Sequence, residues 1–232
     1  MRVLGIDTCG PQASVALVEG DAILAEERLP AGSRASRETL PAVERVLVAA
    51  GAGIDGVGAF AAVRGPGSFT GLRVGLATAR GLALAAGRPA AGFCALDLLA
   101  RQVGPGAGAL CALIDAGRGE LYAGLYLRAA SGWERAGEWL LLEPRALLEK
   151  ARGAVLVGPG AERIRALLEE RGEAAAIAPH RPWLAADAAR LLARRLEAGE
   201  APDPESLRPL YIRPSEAERT GRWRTTPFAS TA

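Results

Sequence analysis

The sequence is poor in the residues on which many catalytic and metal sites depend. Among its 232 residues, His180 is the only histidine and Lys150 is the only lysine. His180 stands close to Pro179 and Pro182 and is predicted to be an ordinary loop residue. A two-histidine metal site, a zinc protease site and a Ser-His triad are therefore not expected.

Cysteine is also scarce. Cys9, Cys94 and Cys111 are widely spaced and contain no C-x-x-C pair. Such a set fits neither a disulfide framework nor a zinc site, and it is typical of a protein in the reducing cytoplasm.

Long uncharged apolar segments are absent from the sequence. Asp7 interrupts the first apolar run, and no uncharged apolar stretch of about 18 residues occurs. We therefore predict neither a signal peptide nor a membrane helix.

The sequence also has almost no excess of one sign of charge, since 28 basic and 26 acidic residues give a formal net charge of +2. This value gives no indication of a general nucleic-acid-binding protein. The basic residues are almost all arginine, which we interpret as a coding bias together with the abundance of Ala, Gly and Leu. Because 50% of the residues are apolar, the chain can bury one large core or two smaller ones.

The most distinctive segment, Arg64–Gly75, reads R-G-P-G-S-F-T-G-L-R-V-G. It lies between a predicted buried strand and a predicted helix, where free backbone N–H groups can hold an anion. The common phosphate loops do not fit, because no Lys-Ser/Thr pair ends the motif and its glycine spacing is not that of a dinucleotide fingerprint. Pro66 stands where a nucleophile elbow at Ser68 requires glycine. We predict a strand-to-helix turn, with residual anion binding at 68–71.

Two similar groups of short strands occur along the chain. The strands are predicted at about residues 2–7, 13–19 and 22–29, and again at 110–115, 121–128 and 133–142. The first strand of each group ends in an aspartate, Asp7 or Asp115, and helix–strand–helix patterns follow each group. This weak repeat indicates the duplicated ribonuclease-H-like fold of actin and Hsp70 (the ASKHA type), an α/β fold with two mixed sheets flanked by helices.

The glycine- and proline-rich segment 104–108 is the clearest boundary in the sequence. We expect an N-terminal ribonuclease-H-like domain over 1–104, a C-terminal one over 105–213, and a loose polar tail over 214–232. In proteins of this fold the two hairpins hold the phosphates of ATP, and their aspartates hold the metal ion and the attacking water. The residues expected to form degenerate nucleotide or phosphate loops here are Asp7, Thr8, Ser68, Thr70, Asp115, Gly158 and Gly160.

Taken in order, these segments resemble the TsaB (YeaZ) family. The glycine motif is similar to the signature of that family, and the resemblance covers nearly the whole chain. The other matching segments are I-D-T at 6–8, S-V-A-L at 14–17, E-T-L-P at 38–41, I-D-A at 114–116, G-E-L-Y at 119–122 and Y-I-R-P at 211–214.

The resemblance implies a non-catalytic subunit. TsaB proteins are cytoplasmic bacterial partners of the catalytic subunit TsaD. With the ATPase TsaE they form the complex that makes threonylcarbamoyladenosine beside the anticodon of tRNAs reading codons that begin with A. TsaD, which has a glycoprotease-like sequence and the same fold, carries metal-binding histidines that TsaB lacks. The resemblance thus implies no metal and no required cofactor, with nucleotide binding weak or vestigial.

Two positions depart from the family pattern. Ala35 stands where a histidine is frequent, and Gly117 stands where an arginine commonly follows I-D-A. Contacts that other members make to a nucleotide or a partner through those side chains are therefore not expected here, although Arg118 is a candidate substitute for the second.

The helix predicted over 71–86 is apolar nearly all round and must be covered on every side. The helix predicted over 36–50 covers it within the chain, or a partner does. The resemblance implies that both helices pack against TsaD, or against a second copy of the chain when TsaD is absent. The interface residues then expected are Leu40, Val43, Leu47, Gly71, Leu72, Gly75, Leu76 and Ala79.

A second function is compatible with the same residues. A free-standing ATPase or phosphotransferase of this fold would use Asp7 and Asp115 as carboxylates linked to a metal ion. A glycopeptidase would need the missing histidines and is not expected.

Overall fold

The chain forms two β-sheets flanked by helices in a computed structural model, which describes residues 1–10, 12–30, 34–104, 108–130 and 132–213. The strands are β1 (Arg2–Asp7), β2 (Ser14–Glu19), β3 (Ala22–Arg28), β4 (Ala59–Gly65), β5 (Ala90–Cys94), β6 (Ala109–Gly117), β7 (Glu120–Ala129), β8 (Gly132–Arg135), β9 (Leu140–Leu142) and β10 (Val155–Val157). The helices are α1 (Ala35–Ala49), α2 (Phe69–Ala86), α3 (Ala95–Gln102), α4 (Pro144–Ala151), α5 (Ala161–Glu169) and α6 (Ala185–Glu197). The tail predicted at 214–232 lies outside the described residues.

The first sheet has the strand order β3-β2-β1-β4-β5. The first three strands form an antiparallel meander, and β4 and β5 run parallel to β1. This order is that of a ribonuclease-H-like unit, so the fold predicted from the two strand groups is confirmed for the first half.

Helices α1 and α2 cover one face of this sheet. Leu4 and Ile6 of β1 point to that face, where they share a core with Val43 of α1 and Leu76 of α2. Each of the two helices connects strands that run in the same direction, β3 to β4 and β4 to β5, so α1 and α2 run parallel to each other. Their outer sides therefore point away from the sheet together.

Helix α6 covers the opposite face of the first sheet, although it comes from the C-terminal half of the sequence. It packs on β1, β2 and β4. The approach is close, because a Cβ atom added to Gly5 would lie 2.0 Å from the carbonyl oxygen of Ala185. The 3₁₀ turn Pro204–Leu207 also contacts β4 and β5. The structure thus differs from the expectation that residues 105–213 form one unit, since the last part of that range packs on the first sheet.

The second sheet has the order β10-β6-β7-β8, and β9 pairs with the other end of β7. Its antiparallel strands and the parallel pair β6–β10 repeat the first four strands of the first sheet. Where the first sheet has a fifth strand, the described residues of the second form one isolated parallel bridge, Leu156 with Ile177. The strand predicted at 133–142 is divided into β8 and β9.

Helices α4 and α5 share a core with the second sheet, and α3 contacts strands of both sheets. Within the described part of the chain, no helix is both long and apolar enough to span a membrane.

Candidate functional site

A cleft of about 690 Å³ lies between the β1–β2 hairpin, which we call the first hairpin, and the β6–β7 hairpin, which we call the second. The turn after β1 and the start of α2 form one wall, and the β6–β7 turn forms the other. Of the seven residues predicted to form degenerate nucleotide loops, only Ser68 and Asp115 line this cleft. The remaining lining residues are Cys9, Gly10, Gly67, Phe69, Leu72, Ile114, Ala116, Gly117, Arg118, Tyr122, Pro159, Leu210, Tyr211, Ile212 and Arg213.

Asp7 does not reach the cleft, because its side chain is completely buried. Its Oδ1 atom accepts hydrogen bonds from the backbone N–H (3.0 Å) and the thiol (3.1 Å) of Cys9. Its Oδ2 atom accepts a hydrogen bond from the backbone N–H of Leu184 at 3.0 Å. Leu184 is the N-cap residue of α6. The carboxylate therefore joins the first hairpin to the start of α6.

Burial is the largest influence on the titration of this carboxyl group. It raises the pKa of Asp7 above the ordinary value of 3.8, while the hydrogen bonds from Cys9 and Leu184 act in the opposite direction. Burial also raises the pKa of the Cys9 thiol, and the nearby Asp7 charge adds to that effect. The thiol is therefore a protonated donor to Asp7 rather than a reactive thiolate.

Thr8 and Ser68 hold the start of α2 against the first hairpin. The hydroxyl of Thr8 donates to the carbonyl oxygen of Gly71 at 2.7 Å. The backbone N–H of Ser68 donates to the carbonyl oxygen of Cys9 at 2.8 Å. The Ser68 hydroxyl accepts from the backbone N–H of Gly71 at 3.2 Å and caps the helix. The predicted anion position at 68–71 is thus partly occupied by the chain's own hydroxyl group, and Thr70 lies exposed outside the cleft.

The glycines of this motif permit the close approach of α2 to β1. A Cβ atom on Gly71 would lie 1.9 Å from the carbonyl oxygen of Thr8, and one on Gly67 would lie 2.3 Å from that of Cys9. A Cβ atom on Gly75 would lie 2.3 Å from the Thr8 hydroxyl oxygen. The small-residue stripe of α2 therefore faces the inside of the protein.

This placement corrects the predicted partner interface. Leu40 is 58% exposed, but the other seven residues are buried within the chain: Val43, Leu47, Gly71, Leu72, Gly75, Leu76 and Ala79. For those seven the prediction of direct partner contact is wrong, because α1, the sheet and the first hairpin already cover them. Within the chain the covering of α2 is partial, since Ala77, Gly81 and Leu84 on its other side are exposed.

The second hairpin is more open than the first. Asp115 is exposed; its Oδ1 atom accepts from the backbone N–H of Gly117 at 2.7 Å, and its Oδ2 atom lies 3.4 Å from Nη1 of Arg163. Gly158 and Gly160 do not line the cleft, although Pro159 between them does. A Cβ atom on Gly158 would lie 2.4 Å from the carbonyl oxygen of Leu113, so these glycines serve packing of the turn before α5 on β6.

The structure shows the surroundings of the two residues that depart from the family pattern. Ala35 begins α1, and its carbonyl oxygen accepts a hydrogen bond from the Thr39 hydroxyl at 2.6 Å. Gly117 has a φ of +68°, in the left-handed region that favours glycine. The following residue, Arg118, lines the cleft.

The segment 210–213 joins the two walls of the cleft, a role that the sequence analysis missed. The ring of Tyr211 stacks on Phe69 with ring centroids 5.2 Å apart, and its hydroxyl accepts from Nε of Arg73 at 2.9 Å. Arg213 forms an ion pair of 2.6 Å with Glu120 at the start of β7. The Y-I-R-P match marked this segment, but its partners are too distant in sequence for any local pattern to indicate them.

The fold and cleft define the class of protein as the duplicated ribonuclease-H-like type. A family model described as "TsaD: tRNA N6-adenosine threonylcarbamoyltransferase" matches residues 30–182. The tRNA threonylcarbamoyladenosine biosynthesis protein TsaB of Escherichia coli is 37% identical over 65% of this chain and 66% of its own length. The Bacillus subtilis protein of that name is 28% identical over 94% of this chain and 96% of its own.

A solved structure agrees with these relatives. YeaZ from Pseudomonas aeruginosa has a TM-score of 0.73 and 29% sequence identity to this chain, and the match covers 91% of this chain and 99% of that one. The chain spans about two thirds of the length of its E. coli relative and nearly all of the B. subtilis and P. aeruginosa ones. It belongs to the TsaB (YeaZ) family, within the wider family of the TsaD model.

Two glycines of α2 provide a matched test of its packing. Gly75→Ala should lower the free energy of unfolding by about 1–3 kcal/mol, because the new methyl group overpacks the contact with Thr8. Gly81→Ala on the same helix should raise it by about 0.5–1 kcal/mol, because Gly81 has open space around it and alanine favours the helix. Urea denaturation of the two variants measures both changes. Equal effects would show that Gly75 is not in the internal contact.

The burial of Asp7 predicts a pH dependence of stability. Because its pKa is raised in the folded chain, the folded state keeps the proton at pH values where the unfolded state has lost it. Stability contributed by Asp7 therefore increases as the pH falls through the raised pKa toward 3.8. The unfolding free energy of the wild type minus that of Asp7→Asn should grow as urea denaturation is repeated from pH 7 down to pH 4.5. A constant difference, or one that shrinks, would contradict the raised pKa.

Proposed function

We propose that this chain is a non-catalytic TsaB-type subunit that acts in threonylcarbamoyladenosine biosynthesis by binding and activating TsaD. The observation that carries the non-catalytic part is the burial of Asp7. The carboxylate that would hold a metal ion in a working relative is instead bonded to Cys9 and Leu184 of its own chain. Membership of the TsaB family supports the pathway.

The surface proposed for TsaD is the outer side of α1 and α2, opposite to the residues buried on the sheet. Val48 is 73% exposed and Leu84 is 84% exposed, and Leu40 is the third large apolar side chain there. Ala77 and Gly81 of α2 are exposed between them. We call Leu40, Val48, Ala77, Gly81 and Leu84 the outer helix surface. Large exposed apolar side chains of this kind mark contact surfaces when they are grouped on one face.

The proposed mechanism is structural. Docking through the outer helix surface would hold TsaD in its active arrangement and complete the surface that receives TsaE and the tRNA. In the absence of TsaD, the same surface would pair with that of a second copy and give a homodimer. TsaD and the second copy would then compete. No membrane partner and no cofactor are part of this proposal, and the cytoplasm, where tRNA is modified, is the proposed location.

A free-standing ATPase or phosphotransferase is the second candidate. It is favoured by the cleft of about 690 Å³ at the place where relatives of this fold hold ATP, with Ser68, Asp115 and Arg118 in its walls. In this candidate, Asp115 alone would provide the carboxylate for a metal ion, since Asp7 is buried.

Charge substitutions on the outer helix surface test the docking proposal. Val48→Glu and Leu84→Glu should each weaken the complex with TsaD at least tenfold in Kd, or about 1.4 kcal/mol, because docking would bury an unpaired charge. Titration calorimetry with purified TsaD measures the change, and sedimentation velocity should show weaker self-association of the same variants. Leu127→Glu, at a 56% exposed leucine on the second sheet, is the control. Weakening by the control alone would place the interface elsewhere.

ATP hydrolysis by the purified chain separates the two candidates. If the chain is a non-catalytic subunit (the scaffold proposal), the purified protein should show no ATP turnover above the blank. The Asp115→Asn variant combined with TsaD and TsaE should then modify tRNA normally. The enzyme candidate expects turnover of about 1 s⁻¹ or faster that Asp115→Asn abolishes. Radiolabelled phosphate release measures the first quantity and threonylcarbamoyladenosine content of the tRNA the second. ATP turnover by the wild type that is lost in Asp115→Asn would overturn the proposal that the chain is non-catalytic.

A further inference from the structure

A groove lined by arginine side chains lies between α3, β7, β8 and α6. Its volume is about 760 Å³, and two acidic residues, Asp187 and Glu200, also line it. Among the described residues, five arginines against these two carboxylates and Asp21, which pairs with Arg194, leave an excess of two positive charges. The arginines are Arg101, Arg128, Arg190, Arg194 and Arg195, and we call this feature the arginine groove.

The arginines of the groove differ in whether they form ion pairs with carboxylates. Nη2 of Arg194 lies 2.6 Å from Oδ1 of Asp21, and Nε of Arg195 lies 3.7 Å from Oε2 of Glu200. Within the described residues, Arg101 and Arg128 have no ion pair, and the guanidinium carbon of Arg128 lies 5.9 Å from the ring centroid of Trp133. Both are exposed. Two guanidinium groups on the α3–β7 side are therefore available to an anion, and those of α6 are held in place opposite them.

The shape and chemistry of the groove fit an extended chain of phosphates. Guanidinium groups bind phosphate through paired N–H donors. Arg190 and Arg194 are one helical turn apart, about 6 Å along α6, while Arg101 and Arg128 come from other elements. The charges are thus spread over a length that one phosphate group does not span. A concave groove also fits a strand better than a flat lipid surface.

Trp133, the aromatic residue of the groove lining, is not placed to recognise a base. Trp133 is only 9% exposed, and its Nε1–H donates to the carbonyl oxygen of Val103 at 3.1 Å. Its ring is therefore not free to stack on an unpaired base. Contacts made by arginine to phosphates position a nucleic acid without selecting its sequence.

We propose that the arginine groove binds the phosphate backbone of RNA directly. The groove lies on the α6 side of the first sheet, and the outer helix surface lies on the α1–α2 side, so one chain can hold an RNA strand and a protein partner together. This goes beyond the proposed function, in which the tRNA reaches the complex without any assigned contact to this subunit. It does not depend on the docking of TsaD.

The test is the affinity of the full chain for a fluorescein-labelled, unmodified tRNA transcript, followed by anisotropy between 50 and 200 mM KCl. Arg101→Ala combined with Arg128→Ala should lower the affinity by roughly tenfold and reduce the salt dependence, d log K/d log[KCl], by about 1.5, because two phosphate contacts are lost. The control combines Arg37→Ala with Arg88→Ala. Those two arginines are also exposed and, in the described chain, without an ion pair, but they lie away from the groove.

Equal losses in the two double variants would overturn the proposal, since they would indicate attraction to charge anywhere on the surface. Absence of binding by the wild type at 50 mM KCl would overturn it as well. Amide hydrogen exchange of the wild type is a second measurement, and it does not depend on whether the variants fold. Bound tRNA should slow amide hydrogen exchange in 128–135 and 190–195 but not in α1, and a lack of protection there would contradict the groove.

The outcome is independent of the proposed function. If TsaD is bound and the tRNA is modified while the groove variant binds tRNA as the wild type does, the groove proposal fails and the scaffold proposal stands. If the groove binds tRNA while Val48→Glu and Leu84→Glu leave TsaD binding unchanged, the groove proposal stands and the docking surface is wrong.

Discussion

The bond between the Asp7 carboxylate and the backbone N–H of Leu184 joins parts of the chain that are 177 residues apart. Hydrogen bonds to a charged group contribute about 1.5–3 kcal/mol each, and this one also satisfies the N–H of Leu184, the N-cap residue of α6. The same turn holds α2, because the Thr8 hydroxyl donates to the carbonyl oxygen of Gly71 and the carbonyl oxygen of Cys9 accepts from the N–H of Ser68. The positions of α6 and α2, and hence of both proposed surfaces, depend on this one buried turn.

The two aspartates of the repeat have opposite environments for a simple reason. The end of β1 is covered by α6, whereas Asp115 at the corresponding position of β6 is open to the cleft. Desolvation disfavours a free carboxylate at the first position, so local N–H donors are needed to stabilise it. At the second position water and Arg163 are available. A covering helix on one half of the duplicated fold thus gives the two aspartates different environments: Asp7 is bonded within the chain, and Asp115 lines the cleft.

The sequence predicted what depends on local pattern. Alternating apolar residues and strand-end aspartates indicated both meanders, and the glycine motif indicated a strand-to-helix turn. That Ser68 caps α2 was shown by the structure alone. The position of α6 was not predictable, because its apolar face fits any sheet and Gly5 gives no sign of which helix approaches it. The apolar surface of α2 predicted a helix that is covered all round, but Ala77, Gly81 and Leu84 are exposed. The sequence also did not show that Thr8 of the same chain covers Gly75. Long-range partners explain both differences.

The internal covering of α2 changes how a partner can be recognised. A stripe of glycines would allow a partner's backbone to approach closely, whereas the outer helix surface offers protruding side chains such as Val48 and Leu84. Recognition by protruding apolar side chains requires complementary pockets on the partner, and the association energy then concentrates in a few residues. Because α1 and α2 are held by the sheet beneath them, those side chains are presented on a preorganised pair of helices, which lowers the entropy lost on association. In the proposed docking, the buried stripe would thus contribute indirectly, by fixing the helices that a partner would contact.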